Sequence, residues 1–280
     1  MDTGGSRGRV AGGLAGLCLI VFAVAVFALQ PHWGELAHQV AQPVIPESES
    51  SATYWYYAIA LFGAAMTPYE VFFFSSGAVE EHWKTKDLGV SRLNVLVGFP
   101  LGGILSVAIA ACATLVLLPN QIEVTSLSQV VMPVVEAGGK LALAFAIIGI
   151  VAATFGAALE TTLSSGYTLA QFFGWPWGKF RRPAEASRFH VVMFVSIVVG
   201  AAVLFTGVDP VMVTEYSVVF SAIALPLTYL PILIVANDPE YMGDKTNGRL
   251  LNMFGSVYLV IIVAASLAAI PLMIVTGAGQ

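Results

Sequence analysis

The sequence predicts an all-α integral membrane protein of about seven transmembrane helices, and three observations carry that expectation. The 280 residues are 58% hydrophobic and only 10% charged, against about 25% charged in ordinary soluble domains, and the mean hydropathy is +0.84. Apolar runs of bilayer length, about 20 residues or more, recur along the chain. The basic residues fall almost entirely on one side of the alternation that those runs create.

The first run, 11–30, follows Arg7 and Arg9. That order raises a cleaved signal peptide. Its apolar core exceeds the roughly 7–15 residues of a signal h-region, however, and no clean small-residue cleavage site follows, so it reads as a retained span. The other runs lie at 54–79, 94–118, 140–172, 190–208, 211–236 and 251–276. The run at 140–172 is longer than one crossing needs and is expected to emerge from the membrane. Residues 31–53 carry Glu35, Glu47 and Glu49 with Pro43 and Pro46 and no Lys or Arg, so they read as an irregular acidic outer loop. Nothing marks off a soluble domain, and 1–280 is expected to form a single transmembrane domain.

With the spans placed, one side holds Arg7, Arg9, Lys84, Lys86, Arg92, Lys179, Arg181, Arg182, Arg188, Lys245 and Arg249, and the other holds only Lys140. Cytoplasmic loops are rich in Lys and Arg, so the N-terminus is expected to be cytoplasmic and the C-terminus external. This bias, with no targeting segment, fits a plasma or bacterial inner membrane.

Several function classes are disfavoured. Cys18 and Cys112 both fall within spans, which argues against a disulfide framework or zinc ribbon. The net charge of -5 gives no support to nucleic-acid binding. There is no GxSxG elbow, P-loop or GxGxxG fingerprint, and His32, His38, His82 and His190 do not pair at a metal-ligand spacing, so an enzyme is not expected. Gly102-Gly103 and the stretch Gly149 through Ala158 read as small-residue faces for helix packing.

The chemistry concentrates at Gly63-Ala64-Ala65-Met66-Thr67-Pro68-Tyr69-Glu70. Pro68 removes a backbone donor in mid-span and frees carbonyls one turn upstream, such as that of Ala64. Gly63, Ala64 and Ala65 let neighbouring helices approach, and a new half-helix would begin near Thr67 with its positive dipole end. Thr67 and Glu70 add oxygen donors, which suit hard cations such as magnesium, calcium or manganese. A bare proline kink without a ligand stays open as the alternative. Glu160 follows a long apolar run and opens the hydroxyl-rich Thr161-Thr162-Leu163-Ser164-Ser165. It reads either as part of an ion or proton relay or as a helix-end group near the interface. Glu215 lies near the outer start of its span and reads as solvated, and Asp209-Pro210 reads as a turn.

Three segments in chain order carry a resemblance. They are Gly63 through Tyr69; Ala157-Ala158-Leu159-Glu160-Thr161-Thr162 followed by Gly166 through Gln171; and Leu225-Pro226 followed by Met242-Gly243 and Asn247. They resemble the sixth, eighth and tenth helices of the natural resistance-associated macrophage protein (Nramp) family of divalent-metal transporters. Those helices carry Gly-Ala-x-x-Met-Pro-His, then Ala-Ala-Gly-Gln-Ser-Ser with Gly-x-x-x-x-Gln, then a Leu-Pro step with a Met-Gly…Asn loop. The resemblance runs from about residue 10 to residue 276.

It implies a LeuT-type fold of two inverted five-helix repeats, of which this chain looks like helices five to eleven. On that reading 11–30 is the last helix of the first repeat, about 54–236 is the second inverted repeat, and 251–276 is an extra C-terminal helix. The first four helices are lacking, including the broken helix whose Asp-Pro-Gly-Asn ligands face the sixth-helix break. The implied partners are a divalent metal ion as substrate, the lipid bilayer, and a missing N-terminal half in a longer gene or a complementing chain. No cofactor beyond the transported ion is implied. The resemblance places Ala64 and Thr67 at metal-site positions.

The departures bear on the ion. The family's ligating methionine becomes Thr67, with Met66 one position early; the histidine after the proline becomes Tyr69, on the ion or proton path; and a later histidine falls at Phe74. Losing the thioether shifts the preference toward harder ions, and divergent Nramp-related proteins, magnesium transporters among them, are similar in lacking it. The expected function is transport of a manganese- or magnesium-like ion by alternating access. An organic-solute symporter of the same fold, or a non-transporting truncated membrane protein, stands as the alternative.

Overall fold

The computed structural model describes residues 16, 20–42, 44–45, 50–122, 124 and 126–277. Every regular element among them is helical. In order they are α1 (20–28), α2 (Trp33–Ala41), α3 (Ser51–Ala65), α4 (Pro68–Glu80), α5 (Leu88–Leu93), α6 (Phe99–Val116), α7 (Met132–Phe172), α8 (Ser187–Leu204), α9 (Pro210–Val235), α10 (Pro239–Met242) and α11 (Arg249–Val275). Six stretches among the described residues are long and apolar enough to cross a membrane, so the chain is a multi-pass membrane protein. They match six of the seven expected spans. For the run at 11–30, residues 11–15 and 17–19 lie outside the described residues, as do Arg7, Arg9, Cys18, Pro43, Pro46, Glu47 and Glu49.

The chain divides into two compact units, with the division falling inside α4. The first contains Phe73–Phe205 and the described residues before Pro43. Its core joins α1, α6 and α7 through Phe22, Ala25, Val26, Ala108, Ala111, Cys112, Val134 and Ala146. Positions 22, 25, 26 and 108, 111, 112 repeat at the three-and-four spacing of one helical face, and the alanines among them permit close approach. The Cys112 thiol donates to the Phe22 carbonyl at 3.4 Å. A second core seats α7 on α8 around Tyr167, Ala170, Ala186 and Phe189. Gly166 is required there, because a Cβ would come within 2.8 Å of the Phe189 ring.

Two helices in this unit bend for identifiable reasons. Pro100 has no N–H for the carbonyl four residues back, and the helix widens to a π turn over Asn94–Gly98 just before α6. At Gly139, φ 62° and ψ -153° interrupt α7, a conformation that glycine alone adopts freely. The long apolar run predicted from residue 140 begins at that interruption.

The second unit contains the described residues of Val44–Phe72 and of Thr206–Gln280. Tyr56, Ala60, Val219 and Ala269 form its core, joining α3, α9 and α11. The Ser266 hydroxyl crosses from α11 to the Ile223 carbonyl of α9 at 3.0 Å. Asp209 is more than a turn residue: its carboxylate accepts from the Val211 N–H at 2.9 Å and caps α9, with Pro210 in the first turn.

Two expectations need correction. The segment after the first span is not irregular throughout, because residues 33–41 form α2. Trp33, Leu36, Ala37 and Val40 stand at helical spacing, a signal that the neighbouring prolines and acids obscured. Gly102 and Gly103 do not pack as a helix contact among the described residues: both are exposed, with no atom within 4 Å of a Cβ at either.

Candidate functional site

Pro68 shapes the candidate site before any side chain does. Without an N–H, it denies the Ala64 carbonyl the donor that a continuous helix supplies four residues on, and its ring crowds that carbonyl. The helix stops there. α3 ends at Ala65, Met66 turns to an extended φ of -146° and ψ of 90°, Thr67 is non-helical, and α4 opens with Pro68. At a first helical position proline costs little, since that N–H has no helical partner anyway. The Glu70 N–H donates to the Thr67 carbonyl at 3.2 Å and closes the first turn of α4.

Both half-helix ends meet at this break. The last carbonyls of α3 form the negative end of its dipole, which attracts cations. Thr67 is buried, 7% exposed, and its hydroxyl makes no hydrogen bond of standard geometry among the described residues, with the Glu70 carboxylate as its polar neighbour. Leaving such a group unpaired costs about 1–3 kcal/mol, so the break holds an oxygen donor in want of a partner. Ala64 is exposed, while Tyr69 and Glu70 are half-buried. Glu70 stands in the first turn of α4, where a carboxylate also complements the helix dipole.

Gly63 has a specific packing role. A Cβ there would lie 2.5 Å from the Val218 carbonyl oxygen and 2.9 Å from the Ala222 Cβ, so the close approach of α3 to α9 at this level requires a residue without a side chain. Met66 is engaged elsewhere: its thioether sulfur accepts from the Tyr258 hydroxyl of α11 at 3.1 Å. Tyr258 in turn packs edge-on against Tyr229, 5.4 Å between ring centres.

Glu160 departs from expectation in one respect. No half-helix opens at it, because α7 continues unbroken from residue 140 to Phe172. The hydroxyls that follow it bond back along their own helix, Thr161 to the Ala157 carbonyl at 2.8 Å and Thr162 to that of Ala158 at 2.7 Å. Nor does Glu160 cap a helix end, since Phe172 lies about 18 Å further along. Ala64, Thr67, Tyr69, Glu70, Gly63 and Pro68 thus share one break, whereas Glu160 is a half-buried carboxylate on α7 in the other unit.

Sequence reasoning missed a polar cluster at the end of α4. The Glu80 carboxylate accepts from the Tyr167 hydroxyl at 2.5 Å and from the Phe180 N–H at 2.9 Å, and the Gln171 amide donates to the Ser76 hydroxyl at 2.9 Å. Tyr167 and Ser76 are buried. The available signal was an acidic pair, Glu80-Glu81, closing an apolar run. Among the described residues no group of three or more His, Cys, Asp or Glu is placed to hold a metal ion, so an ion at the break would rely on carbonyl, hydroxyl and single carboxylate oxygens.

Comparison with known proteins bears on these features. The family model described as natural resistance-associated macrophage protein-like matches residues 7–271. The chain is 24% identical over 260 residues to the Divalent metal cation transporter MntH of Pectobacterium carotovorum, covering 91% of this chain and 60% of that protein. It is 22% identical over 259 residues to the Divalent metal cation transporter MntH of Erwinia tasmaniensis, with coverage of 91% and 59%. The chain therefore spans about three fifths of the length of these curated relatives.

Proposed function

The chain belongs to the Nramp family, and on that premise we propose that it serves transmembrane transport of a divalent metal cation by alternating access, with a preference for hard ions such as manganese and magnesium. The observation that carries this reading is the buried Thr67 hydroxyl, without a hydrogen bond of standard geometry among the described residues, at the helix break. The Ala64 carbonyl, the Thr67 hydroxyl and the Glu70 carboxylate supply the oxygen donors. Gly63 and Pro68 shape the break, and Tyr69 and Glu160 lie on the ion or proton path. Engagement of the Met66 sulfur by Tyr258 leaves this side of the site to oxygen, in support of a hard ion.

In this reading residues 1–280 act as one transmembrane domain, with 11–30 closing a first repeat, about 54–236 forming the second inverted repeat and 251–276 an added helix. The ligands that face the break come from sequence outside these residues, in the same gene or a complementing chain. The N-terminus is cytoplasmic, the membrane is a plasma or bacterial inner membrane, and no cofactor or enzymatic step is involved.

The test is uptake of radiolabelled manganese and magnesium by cells expressing the longest reading frame that contains these residues. Uptake of either ion that Thr67→Ala and Glu70→Gln weaken is the expected result. Amino-acid uptake exceeding that of both ions would overturn the reading.

A further inference from the structure

One end of the first unit carries a basic, aromatic ledge that the ion site does not use. It is formed where α7 ends at Phe172 and α8 begins at Ser187, and the segment before α5 lies against it: Lys179 pairs with Glu81 at 2.7 Å, and the Phe180 N–H donates to Glu80 at 2.9 Å. Both flanking helices are of membrane-crossing length, which places the ledge at a membrane boundary.

The ledge is a built structure. The Trp175 N–H donates to the Ala170 carbonyl at 2.7 Å and the Glu185 N–H to that of Arg182 at 2.9 Å. Gly178 has φ 137°, and a Cβ on it would lie 2.9 Å from a Glu80 oxygen. Trp175 stacks on Phe173 at 4.9 Å, and the Arg188 guanidinium lies 5.2 Å from the Trp175 ring centre.

The charge on it is unbalanced. Glu80 is taken by Tyr167 and the Phe180 N–H, Glu81 by Lys179, and Asp87 by the Lys84 N–H at 2.8 Å. Glu185 is exposed on the same segment. Arg181 and Arg182 are exposed side by side and form no ion pair among the described residues. Beside them Phe172 is 80%, Phe173 55% and Phe180 69% exposed.

We propose that this ledge binds the headgroup phosphates of anionic phospholipids. Arg181 and Arg182 meet the phosphate, for which a guanidinium offers paired donors. Phe172, Phe173 and Phe180 enter the upper acyl region, the usual depth of interfacial aromatic side chains. A soluble phosphate would leave those three rings unexplained, which is why a lipid is the occupant.

The test titrates dioctanoyl phosphatidylglycerol, dioctanoyl phosphatidylcholine or inorganic phosphate into the purified full chain in an uncharged detergent, following tryptophan fluorescence. Phosphatidylglycerol alone is expected to give a saturable change. R181Q with R182Q should weaken it about thirty-fold, from about 1 kcal/mol per basic residue near an anionic surface. K140Q, at the opposite end of α7, should leave it unchanged. An equal response to phosphatidylcholine or to phosphate, or wild-type affinity in the double variant, would overturn the proposal.

Discussion

Pro68 and Glu160 stand in two long apolar stretches, each with a carboxylate and hydroxyls at membrane depth, yet only the first stretch breaks. At Pro68 the cause is covalent: one N–H is missing, the Ala64 carbonyl loses its donor, and the helix restarts three residues beyond Ala65. At Glu160 every backbone donor is present, and the neighbouring threonines return their hydroxyls to their own helix. Polar side chains do not open a membrane helix when they can be satisfied along it. Proline is not sufficient either, because α9 runs on through Pro226 and Pro231. At Pro68 the restart is helped by small residues upstream, which let α3 rest on α9.

The largest expected effect tests that support. Gly63→Leu should leave no folded, monodisperse protein, and Gly63→Ala should cost about 1–3 kcal/mol by overpacking, measured as thermal unfolding in detergent. Gly156→Ala, one turn from Glu160 with no atom within 4 Å of its Cβ position, should be neutral or up to about 1 kcal/mol stabilising. Equal costs at the two glycines would remove the packing part of the comparison.

Next comes the break itself. Pro68→Ala restores the missing donor, so amide exchange at Met66 and Thr67 should slow as α3 extends, and manganese should no longer shift the melting temperature. Persistence of rapid exchange would mean that tertiary packing, and not the proline, holds the break open.

The two carboxylates should then separate. Glu70→Gln is expected to weaken manganese binding about ten- to a hundred-fold, the worth of a contact to a charged group, read by calorimetry on the purified product of the longest reading frame that contains these residues. Glu160→Gln should leave that equilibrium unchanged and slow uptake instead. The smallest effect belongs to Thr161→Val, whose exposed hydroxyl serves only its own helix, with stability within about 0.5 kcal/mol of wild type.

What the sequence made legible follows the range of each cause. The break at Pro68 arises from the backbone chemistry of a single residue, and the spans arise from local composition. Contacts between distant residues left no such trace. Tyr258 reaches Met66 across 192 positions and Tyr167 reaches Glu80 across 87, and no local pattern announces either pairing. Gly102 and Gly103 make the same point in reverse: a small residue permits a close neighbour without supplying one. α2 was legible from its spacing but was masked by the acids and prolines that follow it.

The central claim is that the Thr67 hydroxyl waits for a cation, and one substitution tests it most directly. Thr67→Val keeps the shape and removes the unpaired oxygen. The purified product of the longest reading frame that contains these residues should then melt higher without metal, by the equivalent of about 1–3 kcal/mol, while losing the rise in melting temperature that manganese or magnesium gives the wild type. A variant that is less stable without metal, yet keeps the full metal-induced rise, would contradict the account.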